Sequence, residues 1–88
     1  MNNMGNKVID QIRTLKFEFQ TLSSKKPNDT VNQFKLKYVN LSLKAANDLL
    51  KEEKPYEDFE TFEEDNLPTY SDVLMMLSLY LDRLASYA

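Results

Sequence analysis

Between Glu57 and Asp65 the chain carries six carboxylates, Glu57, Asp58, Glu60, Glu63, Glu64 and Asp65, and no basic residue. Clustered carboxylates can bind a divalent cation, meet a basic protein partner or imitate the phosphates of a nucleic acid. Cation binding needs a defined spacing of oxygens. An EF-hand loop alternates its ligands around a central glycine and closes with a glutamate at its twelfth position. This tract has no glycine, and Phe59 and Phe62 interrupt the alternation. What remains is a solvated acidic surface, or a face that receives a partner.

Carboxylates on paired helices can also hold magnesium over a pyrophosphate. The all-helical nucleotide pyrophosphohydrolases do so with an E-E-x-x-E and E-x-x-D signature. Here Glu52-Glu53 is followed by Tyr56 where the third glutamate would stand, and no E-x-x-D lies downstream. A carboxylate-based metal-dependent hydrolase is therefore the most remote reading. Histidine and cysteine are both absent, which excludes zinc fingers, Cys-His and Ser-His-Asp nucleophile systems and histidine-ligated metals. The expectation is a chain that is not an enzyme and uses no cofactor or metal.

Two further groups could serve recognition. Met75, Met76 and Leu79 sit on the C-terminal helix beside its main apolar stripe, Met75 and Leu79 near the polar arc, and flexible methionines suit adaptable contact surfaces. They fit equally well as core filling against Tyr56, Phe59 and Phe62. Tyr38, Tyr56, Tyr70, Tyr80 and Tyr87 offer large contact area at low entropic cost, though sealing the rim of a small core is the simpler role for each.

Charge is divided along the chain. Residues 1–50 hold eight basic and four acidic side chains, and residues 51–88 hold three and ten. The simplest consequence is that the acidic segment folds back near the lysines of the first half. Nucleic-acid binding through Lys25, Lys26, Lys35, Lys37 and Lys44 is disfavoured by the net charge of −3 and by the lack of a concentrated basic surface.

These groups must be positioned by helices. Val8, Ile12, Leu15, Phe19 and Leu22 step by four and three, one face of a helix over about 5–23. Leu15, Phe17 and Phe19 also alternate as a strand would, but the helical pattern covers more residues. Phe17 points away from its stripe. Ser23 to Thr30 is dense in turn formers and contains Pro27; Asn28, Asp29 or Thr30 is placed to cap a second helix over about 29–53. Its stripe reads Val31, Phe34, Tyr38, Leu41 and Ala45, followed by Leu49 and widened by Val39, Ala46 and Leu50, with a competing alternation at residues 34–38. Pro55 ends it. The acidic connection 55–70 repeats an aromatic at Tyr56, Phe59 and Phe62, a spacing that docks rings on a core. Ser71 and Asp72 suit the start of a third helix over 71–87, striped by Val73, Leu77, Tyr80, Leu84 and Tyr87 and flanked on one side by Leu74, Leu81 and Ala88.

The expected fold is all-α: a three-helix antiparallel bundle in one domain spanning 1–88, with a short additional helix or turn before the C-terminal helix. Met1 to Gly5 is polar with no apolar run of seven after it, so no leader is expected. The longest apolar stretch, Val73 to Leu81, is nine residues broken by Ser78, against about 20 for a membrane span. The expected location is the cytoplasm. Nine Lys against two Arg, with eight Asn, points to an AT-rich bacterial or phage genome.

The leading functional expectation is a small protein-binding protein acting as inhibitor, adaptor or regulator. Its partner is an unidentified protein, met through the acidic face or the C-terminal helix. A homodimer through that helix follows wherever the bundle leaves it uncovered. The alternative is an acidic surface that mimics nucleic acid in a partner's basic groove. In size and helical class the chain also resembles the helical bacteriocin immunity proteins, which implies inhibition by protein contact.

Overall fold

The computed structural model describes residues 3–87, with side chains from Gly5 to Ser86. The expected stripe positions Tyr87, as a side chain, and Ala88 lie outside that description. Three helices form: α1 (Asn3–Lys25), α2 (Gln33–Leu50) and α3 (Tyr70–Tyr87), with a single 3-10 turn at Lys51–Glu53. Both alternating stretches, 15–19 and 34–38, lie inside helices. The period-2 pattern there is incidental to a helix that is apolar on more than one side. Among the described residues the pairing outside helices is one antiparallel bridge, Thr30 with Thr69.

On α1 the expected stripe faces inward. Val8, Ile9, Ile12 and Phe19 are buried, Leu15 and Leu22 half-buried, and Phe17 stands out in solvent.

The second helix departs from its expected bounds at both ends. It begins at Gln33 because the segment before it pairs with the one before α3, Thr30 bridging to Thr69. The Val31 amide donates to the Pro68 carbonyl and the Tyr70 amide to the Asp29 carbonyl, each at 2.9 Å. Asn32 is the first residue free to cap. Its side-chain oxygen accepts from the Lys35 amide at 2.8 Å, satisfying one of the orphan donors of the first turn. At the other end Lys51 takes φ 54° and ψ −114° while its amide donates to the Asn47 carbonyl. That backbone is natural only for glycine and costs a side-chain-bearing residue about 1 kcal/mol or more.

The buried face of α2 is Leu36, Val39, Leu43, Ala46 and Leu50. This corrects the expected stripe: Phe34, Tyr38 and Leu41 lie on the other side of the helix. Both sets obey the three-and-four spacing, so α2 is apolar on two nearly opposite faces.

On α3 the cap is Thr69 rather than Ser71. The Asp72 amide donates to the Thr69 hydroxyl and the Thr69 amide to the Asp72 carboxylate, both at 3.1 Å, a reciprocal capping box. Val73, Leu77, Tyr80 and Leu84 are fully buried. The helix lies mainly along α1 and more lightly against α2. One buried cluster draws on all three helices.

Phe19 meets Tyr70 across α1 and α3, while Val31 sits by Pro68 and Asn47 by Tyr80. The first pairing runs antiparallel and the other two run parallel. So α1 opposes both neighbours, and α2 and α3 point the same way. Parallel neighbours need a return crossing of the helix length, about 27 Å for the 18 residues of α2. The acidic connection is that crossing. No helix among the described residues is long and apolar enough to cross a membrane.

Candidate functional site

The return segment 54–69 runs back along α2 as an irregular strap, with turns at 57–58 and 64–65. Its aromatics and acids divide by side. Phe59 and Phe62 pack edge to face, 5.0 Å between centroids, and Phe59 reaches the Tyr80 ring at 6.3 Å. Tyr56, expected to dock with them, is exposed, because it precedes the point where the strap meets α2. Glu57, Asp58, Glu60, Glu63, Glu64 and Asp65 all face solvent. Among the described residues no three acidic side chains converge into a group that could hold a metal ion.

Two asparagines hold the strap to α2. The Asn40 amide group donates to the Phe62 carbonyl at 2.9 Å, and its oxygen accepts from the Phe62 amide at 3.0 Å. One side chain thus pairs with the backbone as a neighbouring strand would. Seven residues on, the same face of α2 presents Asn47, which donates to the Glu60 carbonyl at 2.9 Å and accepts from the Tyr80 hydroxyl. Burial pushes the Tyr80 phenol up from its usual range, and the Glu60 charge adds to the rise.

The fold-back of acid toward base occurs, and amides rather than charges fasten it. Lys37 and Lys44 share a cleft with Glu63 and Glu64. Among the described residues the strap's one ion pair is Lys54 to Glu60, at 3.4 Å. With the Glu60 carboxylate in solvent, such a pair contributes little, whereas the Asn40 pairing satisfies two backbone groups that would otherwise lose water unpaired.

The expected contact residues of α3 separate. Met76 is buried and lies by Phe59 and Phe62. Leu79 is half-buried against the core. Met75 alone of the three stands out, 57% exposed. Of the three, Met76 is the one buried beside the strap's rings.

The larger apolar exposure is elsewhere. Phe34 is 72% exposed, Leu41 53% and Tyr38 47%, at positions i, i+4 and i+7 of α2. The Phe34 and Tyr38 rings meet edge to face at 5.1 Å, and the Lys37 ammonium sits 5.6 Å from the Tyr38 ring centre. Beside them a groove of about 820 Å³ opens between α1 and α2, with Leu15, Tyr38 and Leu41 as its apolar lining and Lys7, Asp10 and Thr14 on the α1 wall. Phe17, 73% exposed, follows Thr14 and Asp10 at i+3 and i+7, the same side of α1. These residues are visible in the sequence, but their spacing alone places Phe34, Tyr38 and Leu41 in the core. The signal that could have separated them is the second stripe at Leu36, Val39 and Leu43.

Compared with known proteins, the chain matches no family model, no curated protein and no solved structure.

Proposed function

We propose that this protein is a non-catalytic binding protein that acts through protein–protein contact, with the outer face of α2 as its contact surface. One observation carries the reading: α2 is apolar on two sides, and the bundle buries only one. Aromatic and leucine side chains held outward at i, i+4 and i+7 on a helix are how helices engage protein partners. Such anchors on rigid helical backbone lose little entropy when they become buried. An exposed apolar stripe has a cost in solubility that a partner removes.

The test is affinity capture from the cells that make the protein, run in parallel with wild type, Leu41→Asp and Phe34→Asp. Both positions are exposed, so the variants should fold as wild type does. A partner captured by wild type and lost from both variants supports the reading. Equal capture by all three sinks it.

A second reading rests on the strap. Its six carboxylates project from a backbone fixed by Asn40 and Asn47, an arrangement suited to a basic groove that otherwise holds nucleic acid. Glu60→Gln, Glu63→Gln and Glu64→Gln combined should then abolish capture while Leu41→Asp leaves it intact.

A further inference from the structure

We propose that residues 55–67 of the strap form a lid that opens as one unit, hinged at 51–54 and at Pro68, while the three helices stay packed. The lid lies on the α2–α3 side of the bundle, and the proposal does not depend on the outer α2 face.

The core closes without the strap. Among the described residues, every buried hydrophobic side chain of the core cluster lies on a helix or at Val31. From 55 to 67 no residue is buried: Pro55, Phe59, Phe62 and Leu67 are half-buried and the others face solvent. Among the described residues no backbone–backbone hydrogen bond joins 55–67 to a helix. The two bonds inside the segment, Phe59 amide to Tyr56 carbonyl and Asn66 amide to Glu63 carbonyl, span 3.4 and 3.3 Å, longer than the usual ~2.9 Å. What fastens the segment is the Asn40 pairing, one Asn47 bond and the packing of Phe59, Phe62 and Leu67. A segment with so few buried contacts opens locally, at less cost than global unfolding.

Both hinges are built in. At the far end Pro68 is buried and its carbonyl accepts from the Val31 amide at 2.9 Å, while the Tyr70 and Ser71 amides donate to the Asp29 and Pro27 carbonyls. These bonds fix the start of α3 to the loop before α2, and none involves 55–67. At the near end Lys51 holds φ 54°, a strained backbone that persists only while its surroundings enforce it. The Lys54–Glu60 ion pair joins the strap to its own hinge and not to a helix.

Asn47 marks the line along which the lid separates. Its amide group donates to the Glu60 carbonyl, and its oxygen accepts from the Tyr80 hydroxyl. Opening breaks the first bond and leaves the second, which runs from α2 to α3 and keeps the two parallel helices together. Asn40 exchanges its Phe62 partners for water. Met76 and Tyr80, buried in the closed form, gain exposure where Phe59 and Phe62 lay. The strap is thus the intramolecular occupant of the α2–α3 groove, and the groove is accessible only when the lid is open.

Native-state amide hydrogen exchange on the full chain, from zero to low urea, tests this and needs no variant. The Phe62 amide should exchange about a hundredfold or more faster than the Val39, Leu43 and Leu77 amides. Its rate should depend little on urea, because opening exposes little surface. Thiol labelling is a second readout, since the chain has no cysteine. Met76→Cys places a thiol under the lid, Leu43→Cys one in the core and Met75→Cys one in solvent. Under native conditions Met76→Cys should react with dithiobisnitrobenzoate more slowly than Met75→Cys, and about tenfold or more faster than Leu43→Cys. A Phe62 amide that exchanges at the Leu43 rate with the same urea slope overturns the proposal. So does a Met76→Cys thiol that reacts no faster than Leu43→Cys. Phe62 exchange at the rate of a free peptide, or Met76→Cys labelling as fast as Met75→Cys, means that no closed lid exists and overturns it equally.

Discussion

Asn40 offers the sharpest test of how the acidic strap is held. Its side chain gives and takes one hydrogen bond each with the Phe62 backbone, at 2.9 and 3.0 Å. Two such bonds contribute about 1 kcal/mol apiece after exchange with water. Replacing Asn40 with alanine removes both, and returns about 0.5 kcal/mol because alanine is the better helix former. The expected net loss is about 1.5 kcal/mol, or roughly 6–12 °C in Tm for a domain of this size. Urea unfolding followed by circular dichroism measures the first figure. Amide hydrogen exchange at Phe62 locates it, and should quicken at least tenfold. Asn40→Asp keeps an acceptor for the Phe62 amide but cannot donate to its carbonyl, so it should fall about midway. Gln20→Ala, on the exposed side of α1, serves as the control and should stay within about 0.5 kcal/mol of wild type. If Asn40→Ala unfolds with Gln20→Ala, and Phe62 exchanges at its original rate, the pairing is not what holds the strap.

Three other outcomes follow from the geometry. Lys51→Gly should match wild type or gain up to about 1 kcal/mol in urea unfolding, because φ 54° suits glycine, whereas Lys51→Val should lose more than about 1 kcal/mol. The raised Tyr80 phenol sets an alkaline limit. Its contribution is complete below the ordinary tyrosine value near 10 and declines as pH climbs from there through the folded value, since the unfolded chain ionises first. The gap in urea midpoint between wild type and Tyr80→Phe should therefore narrow as pH rises above the ordinary tyrosine value near 10. Phe34→Asp should leave thermal stability within about 0.5 kcal/mol of wild type, as a solvent-facing position does; a loss above about 2 kcal/mol would place Phe34 in the core.

The apolar stripe of α1 and the central one of α3 were legible because each helix has one dominant inward face. The second helix was legible only in part: Val31, Val39, Ala46 and Leu50 are buried as expected, whereas Phe34, Tyr38 and Leu41 are not. Phe34, Tyr38 and Leu41 keep the same periodicity as Leu36, Val39 and Leu43, and spacing alone cannot say which set the neighbouring helices cover. The expected face took in Phe34, Tyr38 and Leu41 along with Val39, Ala46 and Leu50, and packing kept only the second group, with Leu36 and Leu43. The start of α2 was missed for a tertiary reason: Thr30 and Val31 pair with Thr69 and Pro68, far away in sequence. Asn40 and Asn47 carried a faint sign in advance. Both are poor helix formers placed seven apart inside a helix, which suggests that their amides have work elsewhere. The division of the strap into inward Phe59 and Phe62 and outward acids followed from their spacing, while Tyr56 fell outside it.

The most direct measurement places a photo-crosslinking benzoylphenylalanine at position 38 on α2, and in a separate protein at position 56 on the strap. Both sites hold exposed tyrosines, so the two probes differ in surface rather than in chemistry or access. Irradiation in the cells that make the protein should yield an adduct with another protein from position 38, lost when Leu41→Asp is added. Adducts formed only from position 56, or only between two copies of this chain, would contradict the assignment of the outer α2 face as the binding surface.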